Sequence, residues 1–374
     1  MKVVLILTND WELFGDGSGD LMNIQINPTY DLLNILEKYN AKMTFMTEFA
    51  QQIFFRNYET IEPKLGKLAD EWDKVLIAAL QKGHDSQLHF HPQWINANFH
   101  NSEWYLDPQN WSIGKLHPEQ IFEWLQKGKH YIENLASKNS INHNIIAFRA
   151  GAYQIEPSRN VIPILKSLGI YLDSSVTKHL KLDNQFDFSK APSELFPWEV
   201  DLSNVALQGE SGIFEFPIYS TFEDESPALK KYSPKLFYKL KYGIDLEQKH
   251  LDWIADRDRV KEIRYPRSRR PYKQKQNKDF QFYKNALYSK QSVQLDYDYL
   301  PAPVFVKFIT DAIVKFSKEA EAKNMPYLPI VASGHIKDAH TNENLRWILE
   351  ELNAKLSYNI EYKTFSEVVK DLFN

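Results

Sequence analysis

Seven short apolar runs alternate along the chain with longer stretches of helical periodicity, and this alternation limits the fold more than any other feature. The runs are Val3–Leu7, Met43–Met46, Gln87–Phe90, Asn144–Phe148, Ile170–Leu172, Ile213–Phe216 and Leu328–Ala332. Helices are predicted over Tyr30–Tyr39, Leu65–Lys82, Pro118–Ser137, Asn160–Leu168, Pro303–Lys323, Asn342–Leu356 and Ser366–Phe373. Leu33, Ile35, Leu36 and Tyr39 leave the apolar stripe that a helix needs when it lies on a sheet. Strand–helix alternation of this kind predicts an α/β chain with a parallel sheet and helical crossovers. About seven strands predict a closed or nearly closed (β/α) barrel, with a doubly wound open sheet as the other arrangement.

The chain of 374 residues, 43% hydrophobic and 14% aromatic, is large enough to bury a substantial core. It has no cysteine, which excludes a disulfide framework, a thiolate metal site and a cysteine nucleophile, and fits a reducing compartment. The apolar start is too short for a signal peptide, and no stretch reaches the ~18 apolar residues of a membrane span. The expectation is a cytoplasmic protein without an integral membrane segment. The net charge of −4 is unevenly spread. From Lys230 to Lys290 there are 18 Lys/Arg against 7 Asp/Glu, and elsewhere 27 against 42. A single domain over residues 1–374 is expected, carrying a basic insertion at about 228–300. That insertion can be a solvated lobe, an oligomer contact, or an electropositive approach for an anionic substrate. No nucleic-acid motif accompanies it, and the rest of the chain is acidic, so nucleic acid is not an expected partner.

Polar, ligand-capable residues fall where these strands end. Asp10 and Glu12 follow the first run, His89 and His91 the third, Arg149 the fourth and His335 the last. In a parallel barrel those carboxyl ends share one face, where barrel enzymes place their chemistry. His89 and His91 are two apart, so on an extended strand both point to one side. Two imidazoles and a carboxylate suit a divalent ion with positions left open. Solvent-facing histidines on a loop are the plainer alternative, as are a turn for Asp10 and Glu12 and a structural ion pair for Arg149. Trp11 and Trp94 flank the proposed ligands and are candidates for stacking on a sugar ring or for simple packing.

The segments "LILTNDWE", "KGHDSQLHFHPQW", "FRAGAY", "YLDSSV" and "ASGHIKD" come in the order of the five motifs of the polysaccharide deacetylase domain. The chain thereby resembles that family (NodB-homology, carbohydrate esterase family 4), and most the branch associated with lipopolysaccharide and surface-polysaccharide biosynthesis. The resemblance covers roughly residues 1–220 and 300–374. It implies a distorted (β/α) barrel and metal-assisted removal of an N- or O-acyl group from a sugar; a nucleotide- or lipid-linked sugar is the anionic substrate that the basic insertion would draw in. By this resemblance Asp10 matches the catalytic base, with a place among the metal ligands also open to it. Glu12 matches the acidic ligand and His89 the first metal histidine. Arg149 matches the arginine that holds the base, Asp173 the acid that supports the final histidine, and His335 that histidine, the general acid. His84 and Asp85 match framework positions. Zinc is the first expectation for the metal, with iron, manganese, nickel or cobalt as alternatives.

Two departures stand out. The second metal histidine of the family would fall at position 93, which is Gln93, so His91 must substitute. The third motif lacks its proline and reads Arg149-Ala150-Gly151-Ala152-Tyr153, leaving the Ala152 amide as the candidate oxyanion donor beside Tyr153. Two other readings keep the fold: hydrolysis of a non-sugar amide, and a catalytically silent barrel that binds a glycan or a partner.

Overall fold

The computed structural model describes residues 1–182, 185–264, 289–338, 342–356 and 359–373. In chain order, β1 (Val3–Trp11), α1 (Asn27–Lys38), β2 (Met43–Glu48), α2 (Phe49–Tyr58), α3 (Pro63–Gln81) and β3 (Asp85–Phe90) form the first half of the barrel. A hairpin of β4 (Asn98–His100) and β5 (Glu103–Tyr105) precedes α4 (Pro118–Lys138), β6 (Ala147–Ala150), α5 (Ile162–Ser167) and β7 (Leu172–Asp173). The short strands β8 (Lys181–Leu182) and β9 (Phe186–Asp187) pair with each other, and β10 (Trp198–Asp201) and β11 (Asn204–Gln208) lead to β12 (Phe214–Glu215). The excursion that follows holds β13 (Ser220–Glu225), α6 (Pro227–Tyr232), α7 (Pro234–Tyr242), α8 (Gln248–Arg264) and β14 (Ser289–Gln294). The chain returns through α9 (Ala302–Ala322), β15 (Leu328–Ala332), α10 (Glu343–Leu356), β16 (Ile360–Tyr362) and α11 (Phe365–Phe373).

The strand order β12-β7-β6-β3-β2-β1-β15 is parallel throughout. Just past β12, Ile218 bridges Val331 of β15 in parallel, and the Tyr219 amide donates to the Val331 carbonyl at 3.0 Å. That bridge joins the two ends of the sheet, so seven strands close into a distorted (β/α) barrel. Its irregularity has visible sources. β7 and β12 are two residues long, β10 and β11 extend the sheet antiparallel beside β12, and β16 pairs with β1 at Val3–Leu5, ahead of β2.

Period-2 alternation sorts β1 into two faces. Val3, Leu5, Leu7 and Trp11 join the large core under the helices, whereas Val4 and Ile6 join Met46, Ala147, Leu172, Phe216 and Val331 inside the barrel. Phe365 and Val368 of α11 belong to that inner cluster and plug the barrel at the amino ends of the strands. The Phe365 amide donates to Thr44 Oγ1, and the Asp85 carboxylate accepts from the Ser366 amide, the Ser366 hydroxyl and Gln87.

All seven predicted strands and all seven predicted helices are present, with ends displaced by up to four residues. The sequence reading missed α2, whose segment FAQQIFFRNY buries six of its ten residues and so lacks a clear polar face. It also missed the antiparallel extension. The excursion leaves the barrel at β13, earlier than the basic composition suggests. Residues 265–280 of the stretch RYPRSRRPYKQKQNKDF lie outside the described residues.

Candidate active site

Strand alternation carries the interior column upward into polar residues at the carboxyl ends. Above Val4 and Ile6 come Thr8 and Asp10; above Met46 comes Glu48; above Gln87 come His89 and His91; above Ala147 comes Arg149. Glu48 pairs in register with His89, and His89 with Arg149. Asp10 reaches the last strand's extension, where its amide donates to the Gly334 carbonyl at 2.8 Å and brings His335 alongside.

Glu12, His89 and His91 bring three donor atoms within 4.8 Å of one another, and all three residues are buried. His89 Nδ1 donates to the Arg149 carbonyl at 3.0 Å, which directs Nε2 toward Glu12 Oε2 at 3.5 Å. His91 Nε2 lies 2.6 Å from the same carboxylate oxygen. Neither Nε2 has a hydrogen-bond partner, so the close approaches lack the alignment of a hydrogen bond. Buried nitrogens converging on one oxygen without bonding to it are the arrangement that a shared cation satisfies. The donor set of two imidazoles and a carboxylate therefore fits a divalent ion of the zinc type.

Gly151 makes room for the His91 ring. A Cβ at Gly151 would sit 2.6 Å from that ring, so the lack of a side chain there leaves the space that this imidazole fills. The His91 amide is in turn fixed by Glu48 Oε2 at 2.6 Å. Gln93 is fully buried.

Asp10 receives Arg149 Nη1 at 2.6 Å, and His335 Nε2 stands 3.5 Å from its other oxygen. Arg149 is buried and also donates to Thr8, the Ser174 carbonyl and the Ser174 hydroxyl. Burial alone would raise the Asp10 carboxyl, but Arg149, His89 and His335 outweigh it and hold it below the ordinary carboxylate value. Glu12 is likewise opposed by burial, and His91 and Lys337 hold it well below its usual value. Burial would lower His89, yet Asp10 and Glu12 raise it above the ordinary histidine value. Burial lowers His335, whose side chain keeps 20% of its surface open. Burial pushes Glu48 up to about 8, against His89 and with the repulsion of Glu12.

Asp10, Glu12, His91 and His335 line a cavity of about 490 Å³. Asp10, Glu12, His91, Ala152, Tyr153, His335 and Lys337 form its barrel wall, and Glu225, Lys230, Asp296 and residues 291–294 form the wall supplied by the excursion. β13 and β14 make an antiparallel ribbon that is fastened to the loop after β7. Ser220 and Ser292 both donate to the Lys178 carbonyl at 2.9 Å, and Gln294 spans Thr177 and Tyr153. Ala152 and Tyr153 are both left-handed, with φ of 50° and 60°, a conformation that non-glycine residues adopt only where their surroundings enforce it.

Three expectations differ from the placement. Trp11 falls on the outward face of β1, 1% exposed, bonded to Thr29 and packed on Trp72, so it cannot stack on a ligand in the cavity. Trp94 is 3% exposed among Phe54 and Trp104. The aromatic that does line the cavity is Trp111, 43% exposed beside Gly15. Asp173 does not support His335: alternation turns it outward beside its register partner Glu215 and bonds it to Ser175. His335 instead has Asp338 at 4.0 Å from its Nδ1 and donates its amide to Asp298.

Glu48, Lys337 and Trp111 were missed by sequence reasoning. Glu48 ends a barrel strand, the signal that singled out the other site residues. Lys337, whose ammonium pairs with Glu12 Oε1, lies inside the ASGHIKD segment but two residues past the histidine. Trp111 stands in a loop without periodicity.

No protein-family model matches the chain, and no curated protein matches it in sequence. Solved structures do resemble it. A candidate polysaccharide deacetylase from Mycobacterium smegmatis is 11% identical over 99% of this chain and 90% of that one, with a TM-score of 0.46. The α-amylase AmyC of Thermotoga maritima is 11% identical over 100% and 76%, at 0.47. A family 4 carbohydrate esterase from Streptomyces lividans in complex with acetate is 13% identical over 46% and 61%, at 0.26. By its own strand order this chain is a distorted (β/α) barrel with a Glu-His-His group at the carboxyl ends of its strands.

Proposed function

We propose that the cavity hydrolyses an acyl group, acetyl in the leading reading, from the nitrogen or oxygen of a sugar. The observation that carries this reading is the convergence of Glu12, His89 and His91 beside an Asp10 clamped by Arg149 and faced by His335. Glu12, His89 and His91 would hold a divalent cation, zinc first among the choices, which polarises an acyl carbonyl and lowers the pKa of water. Asp10, kept ionised by Arg149, takes the proton of the attacking water as the new C–O bond forms. The Ala152 amide is the candidate donor to the tetrahedral oxyanion. His335 hands a proton to the leaving nitrogen or oxygen as the C–N or C–O bond breaks. Lys337 holds Glu12 Oε1, leaving Oε2 to face the two histidines.

The finer reading, a substrate belonging to surface-polysaccharide or lipopolysaccharide assembly, rests on the five-motif resemblance. Acetate release from a panel of N- and O-acetylated sugars, with cyclic amides alongside, tests the function. Turnover on sugars that Asp10→Asn abolishes supports it. Turnover confined to cyclic amides replaces the substrate, and no turnover with metal bound replaces the enzyme with a binding barrel.

A further inference from the structure

The excursion carries an outward face that its packing does not need. α7 is anchored from within by Phe237 and Tyr238, each 2% exposed, and by Tyr242, whose ring packs on Phe308 of α9. A helix with one such face is expected to be polar on the other. Instead Leu236 and Leu240, one turn apart, are 45% and 70% exposed, and Tyr232 at the end of α6 is 80% exposed. The same stretch, Pro227–Tyr242, contains five lysines and no aspartate or glutamate. Lys235 and Lys239 stand 3.6 and 3.1 Å from Asp245, Lys230 and Lys241 reach Glu225, and Lys241 reaches Glu223. Lys231 lies 5.7 Å over the ring of Tyr232.

We propose that this face docks on the surface of an anionic lipid bilayer. Five lysines against the three acids they reach, Asp245, Glu223 and Glu225, leave the stretch net positive around its exposed apolar side chains. An interfacial helix likewise buries its apolar side at the headgroup boundary while its excess positive charge is drawn to the lipid charge. A stable protein interface buries about 800 Å² per partner around a packed centre, whereas the exposed large apolar residues of this stretch number three, Tyr232, Leu236 and Leu240. The patch also adjoins the cavity, because Lys230 of α6 and Glu225 just before it line the cavity wall. Docking there would set the cavity mouth beside the bilayer, in reach of a substrate carried on lipid. The docking itself does not depend on the hydrolase reading.

The test is flotation of the full chain with vesicles of phosphatidylglycerol and phosphatidylcholine, and with phosphatidylcholine alone. Binding is expected to the anionic vesicles, weakening as salt rises. Leu236→Ser combined with Leu240→Ser should lower that affinity about tenfold or more, with circular dichroism and thermal midpoint close to wild type. Lys231→Glu, at an exposed position, should lower it by a smaller factor. The proposal is overturned if wild type ignores anionic vesicles at low salt, or if a folded double variant binds as wild type does. It is also overturned if the face holds a second copy, shown by a dimer that the double variant dissolves while vesicle binding is absent.

Discussion

The two ends of β3 carry similar residue types and do opposite things with them. At the amino end, Asp85 accepts from Ser366 twice and from Gln87, and His143 stands 3.8 Å away with its Nε2 on the Ser86 carbonyl. His84 is buried there, and burial lowers it to about 4. At the carboxyl end, Glu12 meets two imidazoles whose Nε2 atoms have no hydrogen-bond partner. His84 also leaves Nδ1 unpartnered, yet among the described residues only the upper group brings three donor atoms together. The lower end spends its polar groups on holding α11 against the barrel. The upper end keeps lone pairs available, and availability of buried donors is what separates a binding site from a structural network.

The sharpest way to break this contrast is to exchange effects between the ends. His89→Ala should weaken zinc binding roughly a hundred- to a thousandfold, about a quarter of the 10–16 kcal/mol a four-ligand structural site supplies, with little change in thermal midpoint. Titration against a chelator of known affinity measures it, and a variant that loses its fold instead would erase the distinction. Gly151→Ala comes next. Its methyl would meet the His91 ring at 2.6 Å, and displacing that ligand should cost about ten- to a hundredfold in affinity while the barrel stays folded. Asp85→Ala reverses the readout. Removing the acceptor of one buried donor, Gln87, and of two part-buried ones on Ser366 should destabilise the chain by about 1–3 kcal/mol in urea unfolding and leave metal affinity unchanged.

The smallest effect sharpens the upper end alone. The carboxylates hold His89 above its ordinary value, so they favour the proton that competes with the metal for Nε2. Lowering the pH raises the protonated fraction, so affinity should fall as the pH drops, approaching about tenfold per unit for a single competing proton. Calorimetry in buffers of different ionisation enthalpy should show proton release on binding, and a pH-independent affinity would contradict the assignment.

Much of this was legible because barrel geometry turns sequence position into spatial position. A strand followed by an acid or a histidine places that group on one face, which is why Asp10, Glu12, His89, His91, Arg149 and His335 could be grouped before any contact was known. Alternation within a strand decides which face each of these residues takes. It sends Asp10 inward and Trp11 outward on β1, and Asp173 outward while Ser174 bonds Arg149. Close approaches were not legible at all. That Gly151 gives the His91 ring its space depends on two strands meeting, and nothing local in either segment announces it. The ribbon over the cavity was hidden for a similar reason, since its pairing spans the whole excursion and neither strand has an apolar run.

If Glu12, His89 and His91 form a cation site rather than a packed polar core, the chain should retain a bound metal. Metal content by mass spectrometry, after zinc loading and desalting of wild type, His89→Ala and Asp85→Ala, tests it most directly. The structure predicts one zinc per chain in wild type and in Asp85→Ala and none in His89→Ala. A wild-type chain that retains no zinc, or a His89→Ala chain that retains as much as wild type, would contradict it.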